Sequence, residues 1–312
     1  MSDQKSKVAA PAPLNLPDVL VENELRLYEG VLAALRALPA SFSFPHPVSG
    51  IRVTDLFNLN SLIGAAIEDQ VVVTLNRTRS IWDPDHEWDD CMFVRRSQSF
   101  PDVRLIRRGL FGAENVMGIE LKGWCTLSKE GVPSFRYQVA KDACAKMDLL
   151  CVVPWYLDNA VSGEAKVLEP WIEQARYAAE WRDYWWEYRR KGSDSSELRK
   201  IVQPDNVSPY PLKSEIAHAV PVKDSGGNFG RLPRCKPLMS EFIDRALDEQ
   251  VLGVSLRDWV NFISLHTDNP DSAKNTEALL RHVEEKALLK SEENAEEVIG
   301  LLKALANKLD LD

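Results

Sequence analysis

The chain has 312 residues, of which 45% are hydrophobic and 27% are charged. This composition excludes a protein that is disordered throughout, and the length allows one or two domains with a sizeable core. The net charge of -9 argues against non-specific binding to nucleic acid, but residues 241–312 alone carry -8. The nearly neutral remainder can still present a local cluster of Lys and Arg to phosphate groups.

Neither a membrane span nor a signal peptide is expected. The uncharged run 149–157 is much shorter than the about 20 residues needed to cross a bilayer, and the first residues lack an apolar stretch. Five cysteines are scattered along the chain without a C-x-x-C pair, which predicts reduced thiols and no disulfide framework or zinc site. We therefore expect a cytoplasmic protein that does not associate with membranes.

The first 160 residues predict an α/β fold. After a flexible tail at 1–20, apolar residues at helical spacing predict helices from Glu22 to Leu38 and from Thr54 to Asp69. A further helix is predicted from Phe135 to Met147. Strands are predicted at 71–76, 101–108, 115–124 and 149–157. This order of elements predicts a core at 21–160 in which a central mixed β-sheet is flanked by helices.

The second half of the chain predicts mostly helix. Pro170 opens a helix that continues to Gly192, because proline is favoured in the first turn of a helix. Residues 213–234 contain a glycine-rich turn that predicts a β-hairpin. We assign 161–240 to a helix and hairpin extension and 241–312 to an acidic helical region.

Two carboxylates and a lysine lie in two predicted strands that are neighbours along the chain. Asp102 begins the first strand, and Glu120 and Lys122 lie in the second. Because side chains alternate in a strand, Glu120 and Lys122 share a face about 6.6 Å apart, while Leu121 faces the other way. If Asp102 meets Glu120, the two carboxylates and the Leu121 carbonyl offer hard oxygen ligands suited to Mg²⁺. Lys122 can then orient or deprotonate a water, as phosphodiester hydrolysis requires.

The residues Pro101, Asp102, Glu120 and Lys122 resemble the signature of the PD-(D/E)XK nuclease superfamily. The resemblance covers 68–155 and points to a bacterial group of type II restriction-type endonucleases. It implies a restriction-endonuclease-like core and metal-dependent cleavage of DNA at these residues.

The same resemblance implies an accessory acid. Members of the superfamily commonly supply one from the helix before the first core strand, and Glu68 occupies that place, with Asp69 as the competing choice.

The pattern occurs a second time, at Pro270-Asp271 and Glu284-Glu285-Lys286. That match lies in a helical, acidic segment, where the charged groups would not converge on a sheet edge, so we reject it. The alternative for the first match is a pair of exposed strand-end charges that neutralise each other. The apolar strand around Glu120 and Lys122 favours the catalytic interpretation, because buried charges are costly unless they are paired or bound to metal.

Seven basic residues are candidates for contact with DNA. Some lie on the helix that follows Pro170, and others lie in the predicted hairpin, whose tip could enter a DNA groove. They are Arg136, Arg182, Arg189, Arg190, Lys223, Arg231 and Arg234. For Arg136 the alternative is a solvated helix face.

Together these features predict a Mg²⁺-dependent DNA endonuclease that restricts foreign DNA, with Mn²⁺ as a substitute metal. Duplex DNA and a cognate DNA methyltransferase are the expected partners. A homodimer is expected because cutting both strands takes two active sites. The alternatives are a repair or recombination nuclease on the same fold, and a non-catalytic DNA-binding protein or adaptor whose acidic C-terminal region binds a partner.

Overall fold

A computed structural model of the chain describes most residues up to 268. The described ranges are 8–44, 46–50, 58–96, 98–109, 112–128, 131–160, 162–190, 197–224 and 226–268, together with residue 300. Within them, no helix has both the length and the apolar character needed to cross a membrane. The fold is mixed α/β, as predicted, with helices packed against a six-stranded sheet.

Among the described residues, four α-helices precede the sheet, and they include the first predicted helix. They are α1 (Glu22–Arg36), α2 (Leu38–Ser41), α3 (Leu59–Arg77) and α4 (Arg79–Trp82). Because α3 includes residues 71–76, the strand predicted there is wrong. Val71 and Leu75 are buried and continue the four-residue spacing set by Ile63 and Ile67, so the run completes the apolar face of a helix. The predicted start of this helix at Thr54 lies outside the described residues.

The central sheet contains three of the predicted strands. It consists of β1 (Cys91–Arg95), β2 (Val103–Gly109), β3 (Gly112–Cys125), β4 (Leu149–Leu157), β5 (Ala165–Val167) and β6 (Trp171–Gln174). Strands β1, β2 and β3 pair antiparallel, β3 pairs with β4 in parallel, and β5 and β6 pair antiparallel with β4. The strands predicted within 101–108, 115–124 and 149–157 are therefore confirmed, whereas β1 was not predicted.

The segment between β3 and β4 is not the helix predicted from Phe135 to Met147. The described residues of this segment contain only a short 3₁₀ turn, Lys141–Ala143. The backbone instead bonds to distant segments: the Tyr137 N–H donates to the Gly230 carbonyl and the Ala140 N–H donates to the Ala217 carbonyl, each at 2.7 Å. These long-range bonds hold the segment in an extended form.

The second half of the described chain departs from the prediction in two places. The residues after Pro170 first form β6, and the helix α5 (Ala175–Tyr184) begins only afterwards and continues as a π-helical turn, Trp185–Arg189. The described residues of 213–234 do not form the predicted hairpin. They contain β8 (Val220–Pro221), which pairs with β7 (Ile201–Val202) from earlier in the chain.

The described part of the acidic C-terminal region is largely helical, as predicted. It contains α6 (Ser240–Asp248), the short strands β9 (Gln250–Val251) and β10 (Val254–Ser255), and α7 (Leu256–Asp268). The acidic helices predicted closer to the C-terminus, and the second match at 270–286, lie outside the described residues.

The packing of α3 distinguishes the two faces of β3. A Cβ atom placed on Gly123 would lie 3.6 Å from the Gly64 Cα and 3.7 Å from the Ile67 Cδ1, so this face of β3 lies against α3. Because side chains alternate along a strand, Glu120 and Lys122 point to the opposite face.

Candidate active site

The structure places Asp102 next to Glu120. Val103 pairs with Ile119 in the antiparallel register of β2 and β3, so Asp102, one residue earlier, lies opposite Glu120. The Asp102 Oδ2 atom accepts a hydrogen bond of 2.8 Å from the Leu121 N–H. The carboxylate of Asp102 is thereby fixed against the strand that carries the other two residues of the motif.

Lys122 completes the group on the same face of β3. Its Nζ atom donates to the Glu120 Oε1 atom at 2.6 Å. Glu120 is buried and Lys122 is half-buried, so the ion pair is shielded from water on most sides. We call Asp102, Glu120 and Lys122 the strand triad.

The charges of the strand triad act on one another. Burial raises the pKa of Asp102, the neighbouring Glu120 carboxylate raises it further, and the value reaches about 7 although Lys122 opposes the shift. Burial lowers the pKa of Lys122, but Glu120 and Asp102 outweigh this effect and the pKa lies above its ordinary value. Lys122 is therefore an ammonium ion at neutral pH, beside the carboxyl groups of Glu120 and Asp102.

Glu68 lies on α3, which packs against the face of β3 opposite to Glu120 and Lys122, and it has a partner of its own. Its Oε2 atom accepts two hydrogen bonds from the Arg95 guanidinium, from Nε at 2.9 Å and from Nη2 at 2.7 Å. The Glu68 carboxylate makes a small contribution to the raised pKa values of Asp102 and Lys122. Asp69, the competing choice, is exposed.

The residues of the triad fit a hard cation with few protein ligands. No group of three or more His, Cys, Asp or Glu residues arranged to hold a metal ion is found among the described residues. Two carboxyl groups do face each other, and burial together with the neighbouring Glu120 carboxylate raises the pKa of Asp102 to about 7. Mg²⁺ commonly binds through one or two carboxylates and keeps several waters. The Leu121 carbonyl as a third ligand stays a prediction.

Gly118 lies at the junction between the triad and the rest of the site. A Cβ atom on Gly118 would lie 2.2 Å from the Pro101 Cγ and 3.0 Å from the Asp148 Oδ1. Only glycine therefore allows Pro101, which precedes Asp102, to pack directly on β3. The Gly118 N–H donates to the Asp148 Oδ1 atom at 2.7 Å.

Sequence reasoning missed two residues that bond at this junction, Asp148 and Tyr210. The Tyr210 hydroxyl donates to the Asp148 Oδ1 atom at 3.0 Å, although the residues are 62 positions apart. The one local signal was a charged residue directly before the wholly apolar run 149–157. Tyr210, between Pro209 and Pro211, gave no signal of its own.

Arg182 is not available to DNA, contrary to the prediction. Its side chain is buried, and Nη1 donates to the carbonyls of Tyr137 and Val139 at 2.9 Å and 2.8 Å. Its Nη2 atom pairs with the Asp183 carboxylate at 2.6 Å. Arg182 therefore holds the extended segment after β3 against α5.

Three of the other basic candidates meet around one turn of the chain. Arg231 Nε donates to the Gly227 carbonyl at 3.3 Å, and Arg234 donates to the Asn228 side chain. A Cβ atom on Gly227 would collide with the Arg136 guanidinium, so Arg136 packs against the same turn. We call Arg136, Arg231 and Arg234 the basic cluster.

The remaining candidates lie outside the basic cluster as defined. Lys223 and Arg189 are exposed. The Arg190 guanidinium stacks on the Trp186 ring, 3.8 Å from its centroid.

No family model, curated protein or solved structure matches the chain. The resemblance to the PD-(D/E)XK superfamily stays a prediction.

Proposed function

We propose that the protein is a Mg²⁺-dependent endonuclease that hydrolyses phosphodiester bonds in duplex DNA, with Mn²⁺ as a substitute metal. The observation that carries the proposal is the strand triad: Asp102 faces Glu120 across two paired strands, and Lys122 contacts Glu120. A purely structural sheet has no need of two carboxylates and one ammonium on one shielded face, because burying charged groups costs free energy. The proposed core belongs to the restriction-endonuclease-like class.

Each residue of the triad has a separate role in this proposal. Asp102 and Glu120 hold the metal ion, which, when bound, stabilises the negative charge that develops on the phosphate. Lys122 has a raised pKa and acts as a hydrogen-bond donor that orients the attacking water or a phosphoryl oxygen. Glu68, which Arg95 holds on α3 across β3 from Glu120 and Lys122, is the proposed accessory acid.

The basic cluster is the proposed contact with the DNA backbone. Arg136 lies in the segment between β3 and β4, so it follows the strand that carries Glu120 and Lys122. Lys223, Arg189 and Arg190 are further candidates. Arginine suits phosphate recognition because its guanidinium can donate two parallel hydrogen bonds.

Restriction of foreign DNA is the proposed setting, with a cognate DNA methyltransferase as partner. We further propose a homodimer, because cutting both strands of a palindromic site takes two active sites related by two-fold symmetry. A repair or recombination nuclease would use the same site. The positions of the DNA ends that cleavage produces distinguish it from a restriction enzyme.

The proposal is tested with the purified protein, plasmid DNA and unmethylated foreign DNA, in Mg²⁺ and in EDTA. We expect double-strand cleavage in Mg²⁺ and none in EDTA. Mapping of the DNA ends then shows whether the cleavage sites share a sequence. Cleavage at a shared sequence supports restriction, and ends at nicks, gaps or branches support repair or recombination. Binding without cleavage in any divalent metal contradicts the proposed activity and supports the non-catalytic alternative.

A further inference from the structure

The Asp148 carboxylate is a buried acceptor with three hydrogen-bond donors. Its Oδ1 atom accepts from the Gly118 N–H at 2.7 Å and from the Tyr210 hydroxyl at 3.0 Å, and its Oδ2 atom accepts from the Ala145 N–H at 2.8 Å. These bonds come from three separate segments of the chain. Asp148 therefore ties β3, the loop before β4 and the segment around Tyr210 to one point.

That point lies beside the strand triad. In the register of β2 and β3, Arg104 pairs with Gly118, and the next position on the same face is the pair formed by Asp102 and Glu120. Positions two residues apart on a strand are separated by about 6.6 Å. Gly118 and Glu120 share one strand, so the bond that fixes Gly118 also constrains the position of Glu120.

Pro101 also links Gly118 to Asp102. The Pro101 ring packs where a side chain at position 118 would lie, and Pro101 directly precedes Asp102. The N–H of the same glycine donates a hydrogen bond to the Asp148 carboxylate. Gly118 is thus held between Pro101 and the carboxylate of Asp148, and Pro101 directly precedes the proposed metal ligand Asp102.

Tyr210 contacts both Arg104 and Asp148. Its ring lies against the Arg104 guanidinium, with 5.2 Å between the Arg104 Cζ and the ring centroid, and its hydroxyl reaches Asp148. The backbone of Tyr210 has a φ of +59°, a conformation that is strained for a bulky residue. Such strain persists where the surrounding contacts over-determine the conformation, and it concentrates at functional sites.

We infer that Asp148 and Tyr210 are positioning residues for the strand triad, which they hold through Gly118 in the geometry that binds a divalent cation. The inference rests on the proposed function in taking the triad to be a metal site. Partners that orient metal ligands typically change metal affinity or activity by 10-fold to 100-fold when they are removed. Tyr210 and Asp148 are therefore expected to matter to the metal without touching it.

Tyr210→Phe is the sharpest variant, because it removes one hydroxyl and keeps the ring on Arg104. The matched control is Tyr177→Phe on α5, where the ring is half-exposed beside Trp181. Binding of Mn²⁺ to the folded protein without DNA is measured by electron paramagnetic resonance, and single-turnover cleavage of duplex DNA is measured separately. We expect Tyr210→Phe to weaken Mn²⁺ binding and to slow cleavage by about 10-fold each, while Tyr177→Phe changes neither.

Asp148→Asn is a second variant with the same readouts. It keeps one acceptor oxygen and replaces the other with an amide group that cannot accept a hydrogen bond, so at least one of the three donors loses its acceptor and the same direction of change is expected. A purely structural role would lower the melting temperature of both variants and leave the Mn²⁺ affinity of the folded protein unchanged, and that result overturns the inference.

The two proposals fail in different ways. A wild-type protein that binds Mn²⁺ but cleaves no DNA contradicts the proposed function, and the inference is then decided by the Mn²⁺ affinities of the variants. A wild-type protein that cleaves DNA, with variants that match it in both measurements, contradicts the inference alone. A wild-type protein that neither binds Mn²⁺ nor cleaves DNA contradicts both.

Discussion

The Lys122 Nζ atom lies 2.6 Å from the Glu120 Oε1 atom, two positions away on β3. A second Glu-x-Lys pair with the same spacing exists at β5, where Lys166 Nζ lies 2.8 Å from Glu164 Oε2. The two pairs differ in exposure: the side chains of Lys122 and Glu120 are 22% and 10% exposed, whereas those of Lys166 and Glu164 are 45% and 46% exposed. The surface pair is therefore a built-in control for the pair in the strand triad.

Lys122→Met should destabilise the protein far more than Lys166→Met. Removing one partner of a shielded ion pair leaves an uncompensated charge and costs about 3 kcal/mol, whereas an exposed pair contributes less than about 1 kcal/mol. The free energy of unfolding, measured in urea at pH 8 with EDTA, checks this difference. Equal effects of the two substitutions would show that Glu120 and Lys122 are ordinary surface charges.

The stability of the metal-free protein should fall as the pH rises from about 4 to about 7. Asp102 has a pKa of about 7 in the folded protein, against 3.8 as its ordinary value, so the unfolded chain loses this proton first. The contribution of protonated Asp102 to the free energy of unfolding is fully present below pH 3.8, and it is lost as the pH rises through 7.

Asp102→Asn isolates this contribution from that of Asp148, whose pKa burial raises to about 6. The melting temperature of Asp102→Asn relative to the wild type should increase between pH 4 and pH 7 and stay constant above it. A difference between the two proteins that does not vary with pH would contradict the charge assignment at Asp102.

Arg182→Met should destabilise the fold without weakening DNA binding by the folded protein. The substitution leaves the buried carbonyls of Tyr137 and Val139 without their donor and the Asp183 carboxylate without its partner, at a cost of about 3 kcal/mol. Arg189→Met, at an exposed position, should change stability by less than about 0.5 kcal/mol. Thermal unfolding and DNA affinity below the melting temperature separate the two effects. A loss of affinity in Arg182→Met at unchanged stability would restore it as a DNA contact.

Arg234→Glu should weaken DNA binding and reduce its dependence on salt. Each phosphate contact that is lost reduces the slope of log affinity against log salt concentration by about 1. Lys303→Glu, in the acidic C-terminal region, is the control and should leave the slope unchanged. Fluorescence anisotropy with a labelled duplex at several salt concentrations gives both slopes. If Arg234→Glu keeps the wild-type slope, the basic cluster is not the contact with DNA.

The sequence predicted the strand triad because its geometry is local. Alternation along one strand places Glu120 with Lys122, and pairing of neighbouring strands brings Asp102 to them. The surroundings could not be predicted, because they depend on contacts between distant segments. Asp148 and Tyr210 are 62 positions apart in the chain, and nothing near either residue indicates the other.

The errors in secondary structure have the same origin. Residues 71–76 are rich in β-branched side chains, which favour strands, but their burial continues the helical spacing of α3. The segment from Phe135 to Met147 has helical composition, yet its backbone bonds to residues about 77 to 93 positions away, at Ala217 and Gly230. In both places the tertiary environment outweighs the local preference.

The most direct test of the proposed activity compares Glu120→Gln with Glu164→Gln. The two variants make the same chemical change in a Glu-x-Lys pair, one in the strand triad and one at the surface. Cleavage of duplex DNA in Mg²⁺ is measured under single-turnover conditions after equal folding has been verified by circular dichroism. If the strand triad is the active site, the cleavage rate of Glu120→Gln falls by at least about 100-fold, while Glu164→Gln cleaves at the wild-type rate. Cleavage by Glu120→Gln at the wild-type rate would contradict it.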